Sequence, residues 1–485
     1  MNPNHFDLLV RCGTVIDGTR RPRFGADVGI LRGRIAAIGD LASATADDVL
    51  DASGRIVSPG FVDSHTHDDQ ALLSQPTMPF KVSQGVTTVV TGNCGISAAP
   101  LREGMDLPMP LNLLDSPVEG RFTTFAAYLD ALREAPASVN VAAMVGHSTL
   151  RALTMRETNR PATRQEVEAM RELVEEAMQA GAIGLSTGTF YPPAQKATTE
   201  EIVEVGRPLS ERKALYVTHM RDESDRVMEA LEETFAIGRA LDVPVVISHH
   251  KAMHAPNFGK TRVTLPLIRE TMKHQCVSLD CYPYTAGSTM IRADRGMLSG
   301  RVLIASSEPH PECAGRDLDD IAAEWGLTKE RAAQRLQPGS AIYFIMDEDD
   351  VQRVLAFDET MIGSDGIPLG DKPHPRLWGT FPRVLGHYSR DIGLFPLETA
   401  VWKMTGLTAR NFALHGRGTL EVHNHADLVI FDPATVRDAA TYEAPATPAE
   451  GIDAVIVNGA ITWRHGAHTG ARNGQVILRK DKQLA

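Results

Sequence analysis

The middle of the chain alternates short apolar runs with segments of helical periodicity, and this alternation constrains the fold most. In the clearest helical segment, residues 165–180, apolar residues recur every three or four positions and Gly181 follows as a stop. Eight apolar runs are predicted strands: 57–65, 85–91, 139–146, 182–186, 214–218, 243–248, 277–281 and 360–363. Alternating strands and helices are typical of parallel α/β sheets. Eight such units predict a (β/α)8 TIM-like barrel.

Both ends of the chain differ from the middle, because they are rich in predicted β-strands. Residues 7–17, 26–30 and 34–38 are apolar and β-branched runs at meander spacing. Residues 426–431 and 452–463 are also strand-like, with Asn458-Gly459 as a hairpin turn. We therefore expect a small β-sandwich domain formed by both termini. Its parts are residues 1–56 and 415–485, and residues 57–414 form the barrel.

The segment from about residue 285 to 350 is longer than a loop between a strand and a helix needs. It contains a helix-like run of its own at 318–336. We expect it to be an insertion between barrel strands seven and eight, placed as a lid over the active-site end.

Composition excludes several classes of partner. The 485 residues carry a net charge of -12, whereas nucleic acids and anionic membranes require a basic surface. No stretch approaches the roughly 18 apolar residues of a membrane span, and residues 1–12 lack the apolar core of a signal peptide. The cysteines number five, which is odd, and they are scattered along the chain. This argues against a disulfide framework and favours a reducing cytoplasm. The sequence does not indicate an oligomeric state.

Residues of the kind that bind metals follow several predicted strands, at the end where TIM barrels place their active sites. His65 and His67 are two residues apart at the end of strand one, so they point to the same side of an extended backbone. Strands two, five, six and eight are followed by Cys94, His219, His249 and Asp365, respectively. Each alone is compatible with an ordinary buried residue. Together, imidazoles, a thiolate and a carboxylate predict a zinc site.

The motifs around these residues carry a family resemblance. PGFVDSHTH, TGNCG, VTHM, SHHK and GSDG, in this order, resemble the amidohydrolase superfamily. Cyclic-amide hydrolases of that superfamily bridge two metals with a carboxylated lysine from strand four, but residues 184–188 (GLSTG) contain no lysine. A cysteine in place of that lysine, here Cys94, resembles the N-acyl-D-amino-acid deacylases. The resemblance covers nearly the whole chain, including GLSTGTFYPP, DCYPYTAGST and NHADLVIFDP.

The resemblance implies a cofactor and a reaction. It implies one zinc held tightly by Cys94, His219 and His249, and a second position bordered by His65, His67 and Asp365, with one or two ions left open. The implied reaction is hydrolysis of an N-acyl-D-amino acid to a carboxylate and a free D-amino acid. Water activated at the metal is the implied nucleophile and Asp365 the general acid and base. The D-stereochemistry comes from the resemblance alone.

The substrate side is also carried over from the family. Its carboxylate clamp falls on Lys251, Tyr282 and Arg376, which could hold an α-carboxylate by charge-assisted bonds. Arg292 and Arg295, in the insertion, could meet an acidic side chain, as in an N-acyl-D-glutamate. Both arginines could equally be solvated residues of the lid. Substrates with hydrophobic side chains, such as those of D-methionine or D-leucine, therefore stay open.

Two other functions stay open from the sequence. One is a cyclic-amide or dipeptide amidohydrolase on the same scaffold, which the missing strand-four lysine opposes. The other is a non-catalytic scaffold that kept the barrel, which the complete set of ligand residues opposes. The roles of His147, His250 and Asp280 are open as well.

Overall fold

The computed structural model describes residues 5–114, 121–370 and 372–479. Its strands are β1 (His5–Val15), β2 (Phe24–Leu31), β3 (Arg34–Gly39), β4 (Thr45–Asp51), β5 (Ile56–Pro59), β6 (Phe61–Asp63), β7 (Val86–Thr91), β8 (Asn140–Ala143), β9 (Val145–Gly146), β10 (Gly184–Gly188), β11 (Leu215–His219), β12 (Val245–Ile247), β13 (Val277–Cys281), β14 (Ala286–Met290), β15 (Val302–Ser307), β16 (Gly339–Phe344), β17 (Thr360–Ile362), β18 (Leu428–Phe431), β19 (Ile452–Val457), β20 (Ala460–Arg464) and β21 (Ala467–His468).

The α-helices of the same residues are α1 (Ala71–Ser74), α2 (Pro79–Val82), α3 (Phe125–Glu134), α4 (His147–Thr154), α5 (Arg164–Ala180), α6 (Thr199–Val205), α7 (Arg207–Arg212), α8 (Val227–Leu241), α9 (Thr261–Thr271), α10 (Leu318–Trp325), α11 (Lys329–Leu336), α12 (Glu348–Ala356), α13 (Arg376–Arg383), α14 (Leu397–Met404) and α15 (Gly406–Asn411). A π-helical segment, Val384–Asp391, continues α13. None of the helices in the described ranges combines the length and the apolar character that crossing a membrane requires.

The central strands form the predicted barrel. β6, β7 and β8 pair in parallel, and β9, β10, β11, β12, β13 and β17 pair in that order. Met144 joins β8 to β9 as one broken third strand, and its amide bonds to the carbonyl of Thr91. The barrel closes between β17 and β6, where the Asp365 amide donates to the His65 carbonyl over 2.8 Å. The prediction of a (β/α)8 barrel is therefore confirmed.

The first predicted strand, 57–65, is wrong as a single element, because the chain changes sheets at Gly60. β5 pairs with β18 and β1 in the terminal sheet, whereas β6 pairs with β7 in the barrel. A side chain at residue 60 would lie 2.1 Å from a Thr87 methyl carbon, so only glycine allows this close passage. The apolar run continues through the change, and hydrophobic periodicity alone could not reveal it.

Strands from both termini form one nine-stranded sheet, in the order β21-β20-β19-β18-β5-β1-β2-β3, with β4 paired to β1. The register of β1 shifts between Val10 and Gly13, and Cys12 has a φ of 58°. This bulge allows β1 to pair with β4 in its first half and β5 in its second. Leu8 and Ile456, from opposite ends of the chain, share one buried core. The boundaries 1–56, 57–414 and 415–485 stay predictions, and residues 1–4 and 480–485 lie outside the described part.

The insertion between β13 and β17 has its own small core. β14, β16 and β15 form an antiparallel sheet packed with α10 and α11. The run 318–336, predicted as one helix-like run, is two helices. α10 ends at Gly326, which has a φ of 63°, and the Thr328 side chain caps α11 by accepting from the Arg331 amide. Barrel residues Met253 and Tyr282 belong to the same core, so the insertion is anchored on the active-site end of the barrel.

Candidate metal centre and substrate cleft

The strand ends turn several ligand-type side chains into one buried cluster. Cys94, His249 and Asp365 follow β7, β12 and β17, with φ values of 53°, 33° and 49°. Positive φ is uncommon for residues other than glycine and costs free energy. The surrounding fold must therefore stabilise these three conformations. All three side chains contribute to the same group of closely spaced donor atoms, which also includes His65.

The distances in this cluster fit a zinc ion. Cys94 Sγ lies 3.3 Å from His65 Nε2, 3.6 Å from His219 Nδ1 and 3.4 Å from His249 Nε2. A tetrahedral zinc with bonds of about 2.0–2.3 Å places its donor atoms roughly 3.3–3.8 Å apart. The thiolate and these imidazoles thus have the spacing and chemistry of a zinc ligand set.

His67 and Asp365 complete the group on the open side of the cluster. His67 Nε2 lies 3.2 Å from Asp365 Oδ1, and His65 Nε2 lies 3.5 Å from the same oxygen. All six residues predicted as metal ligands are thus close neighbours. This second group is compatible with a second metal position beside the thiolate.

Each imidazole that faces Cys94 has a carboxylate behind it. His65 Nδ1 lies 3.4 Å from Asp280 Oδ1, His249 Nδ1 lies 3.0 Å from Glu223 Oε1, and His219 Nε2 lies 3.4 Å from Glu223 Oε2. Metal-bound histidines characteristically place a carboxylate at their second nitrogen, which fixes the tautomer and strengthens the ligand. Carboxylates in these positions would orient the imidazoles so that the nitrogens facing Cys94 could bind a metal.

Glu223 is a candidate functional residue that the sequence did not indicate. It is buried in the loop between β11 and α8, four residues after His219. Burial raises the pKa of its carboxyl, but Lys251, His219 and His249 outweigh this effect and hold the pKa well below its usual range. Its position after a strand-end histidine was the available signal.

The Cys94 sulfur has the electrostatics of a ligand. Burial raises the pKa of this thiol, but the neighbouring His65, His249 and His219 hold it well below its usual range. The chain therefore provides a thiolate at the centre of the imidazole cluster even before a metal binds.

The three predicted clamp residues lie beside the cluster. Lys251 donates to both Glu223 carboxylate oxygens at 2.8 and 2.9 Å. Arg376 is fully buried, lies 2.9 Å from Asp365 Oδ2, and has its guanidinium carbon 4.6 Å from the centre of the Tyr282 ring. The cations are thus held by carboxylates of the site rather than extended into solvent.

The two lid arginines are placed differently. The Arg292 guanidinium lies 5.0 Å from the centre of the Phe190 ring and donates to Asp294 at 2.8 Å. The Arg295 side chain is 93% exposed and faces Glu330 across 3.6 Å. Arg292 therefore lies behind a wall of the cleft, whereas Arg295 lies on the outer surface and does not line either lobe, so a substrate-binding role for Arg295 stays a prediction. A lid position alone could not distinguish the two.

A cleft with two lobes leads to the cluster, and both lobes share Tyr191, Ser288, Thr289 and Asp365. The lid lobe is completed by Phe190, His219, Glu223, His249, Lys251, Met253, Tyr282, Gly287, Met297, Tyr343 and Ile345. The loop lobe is completed by His67, Ile96, Pro110 and Ile367. Asp365 faces both lobes, at the position where a bond spanning them would lie.

Two of the three residues with open roles lie away from the donor cluster. His147 lies 3.2 Å from Glu201, and His250 bonds to Thr264 at 2.8 Å. Burial, the largest effect, lowers the pKa of His250 to about 4, so its imidazole is neutral. Asp280, in contrast, supports His65 and accepts from the His249 amide at 2.7 Å.

A barrel with a thiolate, imidazoles and a carboxylate at its strand ends defines the class of metal-dependent hydrolases. A model described as "Amidohydrolase family" matches residues 48–275 and 326–463. A D-aminoacylase from Alcaligenes xylosoxydans xylosoxydans is 62% identical, with 98% of both chains covered, and an N-acyl-D-aspartate deacylase from the same organism is 51% identical, with 99% and 96% covered. The chain belongs to the amidohydrolase family, and within it to the N-acyl-D-amino-acid deacylases.

Solved structures agree with this assignment. A D-aminoacylase structure that addresses its binuclear metal centre, with one-metal activation and second-metal attenuation, is 59% identical. The N-acyl-D-glutamate deacylase of Bordetella bronchiseptica, complexed with zinc and a phosphonate mimic of the tetrahedral intermediate, is 44% identical. In both comparisons the TM-score is 0.95, and 98% of this chain and 100% of the other chain are covered.

Proposed function

We propose that this protein is a zinc-dependent deacylase that hydrolyses N-acyl-D-amino acids to a carboxylate and a free D-amino acid. The observation that carries the proposal is the carboxylate-supported thiolate and imidazole cluster at the base of a cleft that also contains cations. The 62% identity to a D-aminoacylase supports the linear amide substrate and its D-configuration.

Cys94, His219 and His249 would hold the tightly bound zinc, and His65, His67 and Asp365 would border a second position. When bound, zinc lowers the pKa of water to about 7 and polarises the acyl carbonyl. Asp280 and Glu223 keep the imidazoles oriented. One ion at the tight site is sufficient in this proposal, in line with the one-metal activation described for the related D-aminoacylase.

Asp365 transfers the proton in the proposed reaction. Burial raises its pKa, but Arg376, His249 and His65 outweigh this and hold it well below its usual range, so the carboxylate is ionised and can accept a proton. As the water oxygen bonds to the acyl carbon, its proton passes to Asp365. As the carbon–nitrogen bond breaks, the same proton passes to the leaving amine.

Arg376, Tyr282 and Lys251 are the proposed partners of the substrate α-carboxylate. Arg376 contacts Asp365 and stacks on Tyr282, so a carboxylate that binds these residues also competes for the cation that lowers the pKa of Asp365. Substrate binding would therefore make Asp365 a stronger base at the moment it is needed.

The sequence leaves acidic and hydrophobic substrate side chains open, and the lid lobe favours the hydrophobic ones. Met253, Met297, Tyr343 and Ile345 line it. Arg292 lies against Phe190, which lines this lobe, and donates its Nε–H to Asp294. Apolar walls stabilise methionine- or leucine-like side chains, whereas an acidic side chain would lose its hydration there.

The test is kcat/KM for zinc-loaded protein on matched N-acetyl-D- and N-acetyl-L-amino acids with methionine, leucine, glutamate and aspartate side chains. We expect cleavage of the D-series, with methionine and leucine above glutamate. Cleavage of neither series by protein with zinc bound would contradict the proposal. Hydantoins and dipeptides, tested in parallel, would then identify the alternative amidohydrolase activity.

A cytoplasmic location is also part of this proposal. All five cysteines are free, and Cys12 and Cys276 are exposed. Unpaired exposed thiols persist in a reducing compartment. Fractionation of the native host, with the protein detected by antibody, tests this location.

A further inference from the structure

We infer that Ser186 is a positioning residue of the zinc site, because it clamps the turn that carries Cys94 onto the fourth barrel strand. The inference rests on the zinc site of the proposed function. It assigns a role to β10, whose sequence GLSTG contains no histidine, cysteine, aspartate or glutamate and therefore provides no metal ligand itself.

The Ser186 hydroxyl bonds to the backbone on both sides of Cys94. It accepts from the Gly95 amide at 2.9 Å and donates to the Gly92 carbonyl. A hydroxyl has one donor and two acceptor positions, so both bonds can form at once. Ser186 is fully buried, so both bonds are shielded from bulk water. One side chain thus closes residues 92–95 onto β10.

Glycines on the third and fourth strands make room for this contact. Gly146 of β9 pairs with Ser186, and a side chain at Gly146 would lie 2.4 Å from the Gly95 carbonyl oxygen. Gly188 follows Ser186 by two residues on the same face of β10, and a side chain there would lie 2.0 Å from the Cys94 carbonyl oxygen. The backbone of the turn therefore lies directly against these two strands.

The clamp opposes the relaxation of a strained backbone. Cys94 has a φ of 53°, which costs free energy for a residue other than glycine. Such a conformation persists only where the surrounding structure holds it. Without the Ser186 hydroxyl, the Gly92 carbonyl and the Gly95 amide lose the partner that they share. The turn could then relax, and the Cys94 sulfur would move relative to the imidazoles.

β10 also connects the turn to the strand that ends in His219. Gly188 of β10 pairs with His219 of β11, and Cys94 Sγ lies 3.6 Å from His219 Nδ1 and 3.4 Å from His249 Nε2. A zinc site requires each donor distance to be within about 0.2 Å of its usual value. A bond from the turn to β10 therefore fixes the spacing between the thiolate and the imidazoles.

Ser186→Ala tests this role by metal binding. Groups that orient a metal ligand typically contribute about 10–100-fold to metal affinity, so we expect zinc to bind about 10–100-fold more weakly in competition with a chelator. In the cobalt-substituted variant, the thiolate-to-cobalt charge-transfer band should be weaker for each bound ion, because this absorption depends on the sulfur–metal bond. Unchanged zinc affinity with an unchanged band would overturn the inference, even if the melting temperature fell.

Ser278→Ala is the matched control. Ser278 is also a buried serine of a barrel strand, but its hydroxyl donates to the Val245 carbonyl at 3.5 Å and not to the Cys94 turn. The control should leave zinc affinity and the cobalt band unchanged, and equal losses in both alanine variants would overturn the inference. Should Ser186→Ala not fold, Ser186→Thr keeps the hydroxyl and should match the unmodified protein in both measurements. A folded threonine variant that loses them would contradict the role of the hydroxyl.

These measurements need no substrate, so they separate the inference from the proposed function. If the unmodified protein binds zinc but cleaves no N-acyl-D-amino acid, the deacylase function fails and the role of Ser186 stands. If it is a deacylase and Ser186→Ala binds zinc normally, the function stands and the role of Ser186 fails. Failure of the unmodified protein to bind zinc would overturn both.

Discussion

At the scale of single residues, the site depends on backbone conformations that its side-chain types do not favour. Cys94, His249 and Asp365 all have positive φ. Gly92 and Gly95 flank Cys94 and also have positive φ, and a side chain at Gly92 would lie 2.0 Å from the Met144 carbonyl oxygen. The turn after β7 is thus packed too tightly to accept a side chain at position 92. Tight packing offsets the local cost, and the result is a thiolate directed into the barrel mouth.

Asp365→Asn tests the proton-transfer role at this scale. The amide keeps the size of the side chain and cannot accept the water proton, so we expect kcat to fall by about 10²–10⁴-fold. Zinc at Cys94, His219 and His249 should be retained, as measured by metal analysis after dialysis. A kcat near that of the unmodified protein would exclude Asp365 as the proton carrier, and loss of the tight zinc would point to a ligand role instead.

At the scale of elements, a buried lysine joins the first and last barrel strands. Lys81, at the end of α2, bonds to Asp63 at 2.8 Å and to Ser364 Oγ at 2.9 Å, and it lies 3.2 Å from Asp68. The other Asp63 oxygen accepts from the Ser364 amide at 2.8 Å. This cluster fixes the strand ends that carry His65, His67 and Asp365 relative to each other.

Lys81→Met should therefore destabilise the barrel strongly. It leaves Asp63 and Asp68 buried without their cation, which costs about 3–5 kcal/mol of unfolding free energy. Urea unfolding followed by circular dichroism measures the loss. Lys273→Met, which removes the exposed pair with Glu270, is the matched control and should have little effect. Equal stability of the two variants would show that the cluster does not hold the strands.

At the scale of the whole molecule, the C-terminal segment joins the terminal β-domain to the barrel. After β21 it runs along the third barrel strand, where Val141 bonds to Gln475 and Ile477 donates to the Val141 carbonyl at 2.7 Å. Gln475 also accepts from Arg417 of the segment before β18. The last described residues thus cover a strand of the central barrel.

Truncation after residue 472 tests this role. It removes the backbone bonds to β8 and the packing of Val476 and Ile477, at about 1 kcal/mol for each hydrogen bond. We expect a melting temperature lower by several degrees, measured by differential scanning calorimetry. The reference for this comparison is a chain that ends at residue 479, which keeps these contacts. Equal melting of both truncations would show that the segment contributes no stability.

The amino-acid sequence by itself determined the fold class and the donor set. Hydrophobic periodicity marks strands and helices because burial depends on residue type, and barrels carry their chemistry at strand ends. His65, Cys94 and His249, taken together with His219 and Asp365, could therefore be predicted as metal ligands from their positions after strands. Which residues distant in sequence contact each other could be inferred only from the motif resemblance or from the structure.

Tertiary structure alone decided the remainder. The pairing of His65 with Asp280 and of His249 with Glu223 depends on which loops meet above the barrel, and the local sequence does not encode these distances. The same holds for Arg292 and Arg295, which are three residues apart yet differ in side-chain exposure, at 20% and 93%. The two lobes of the cleft exist only where the lid and the loop after β7 come together, because a cavity is a property of packed surfaces rather than of a segment.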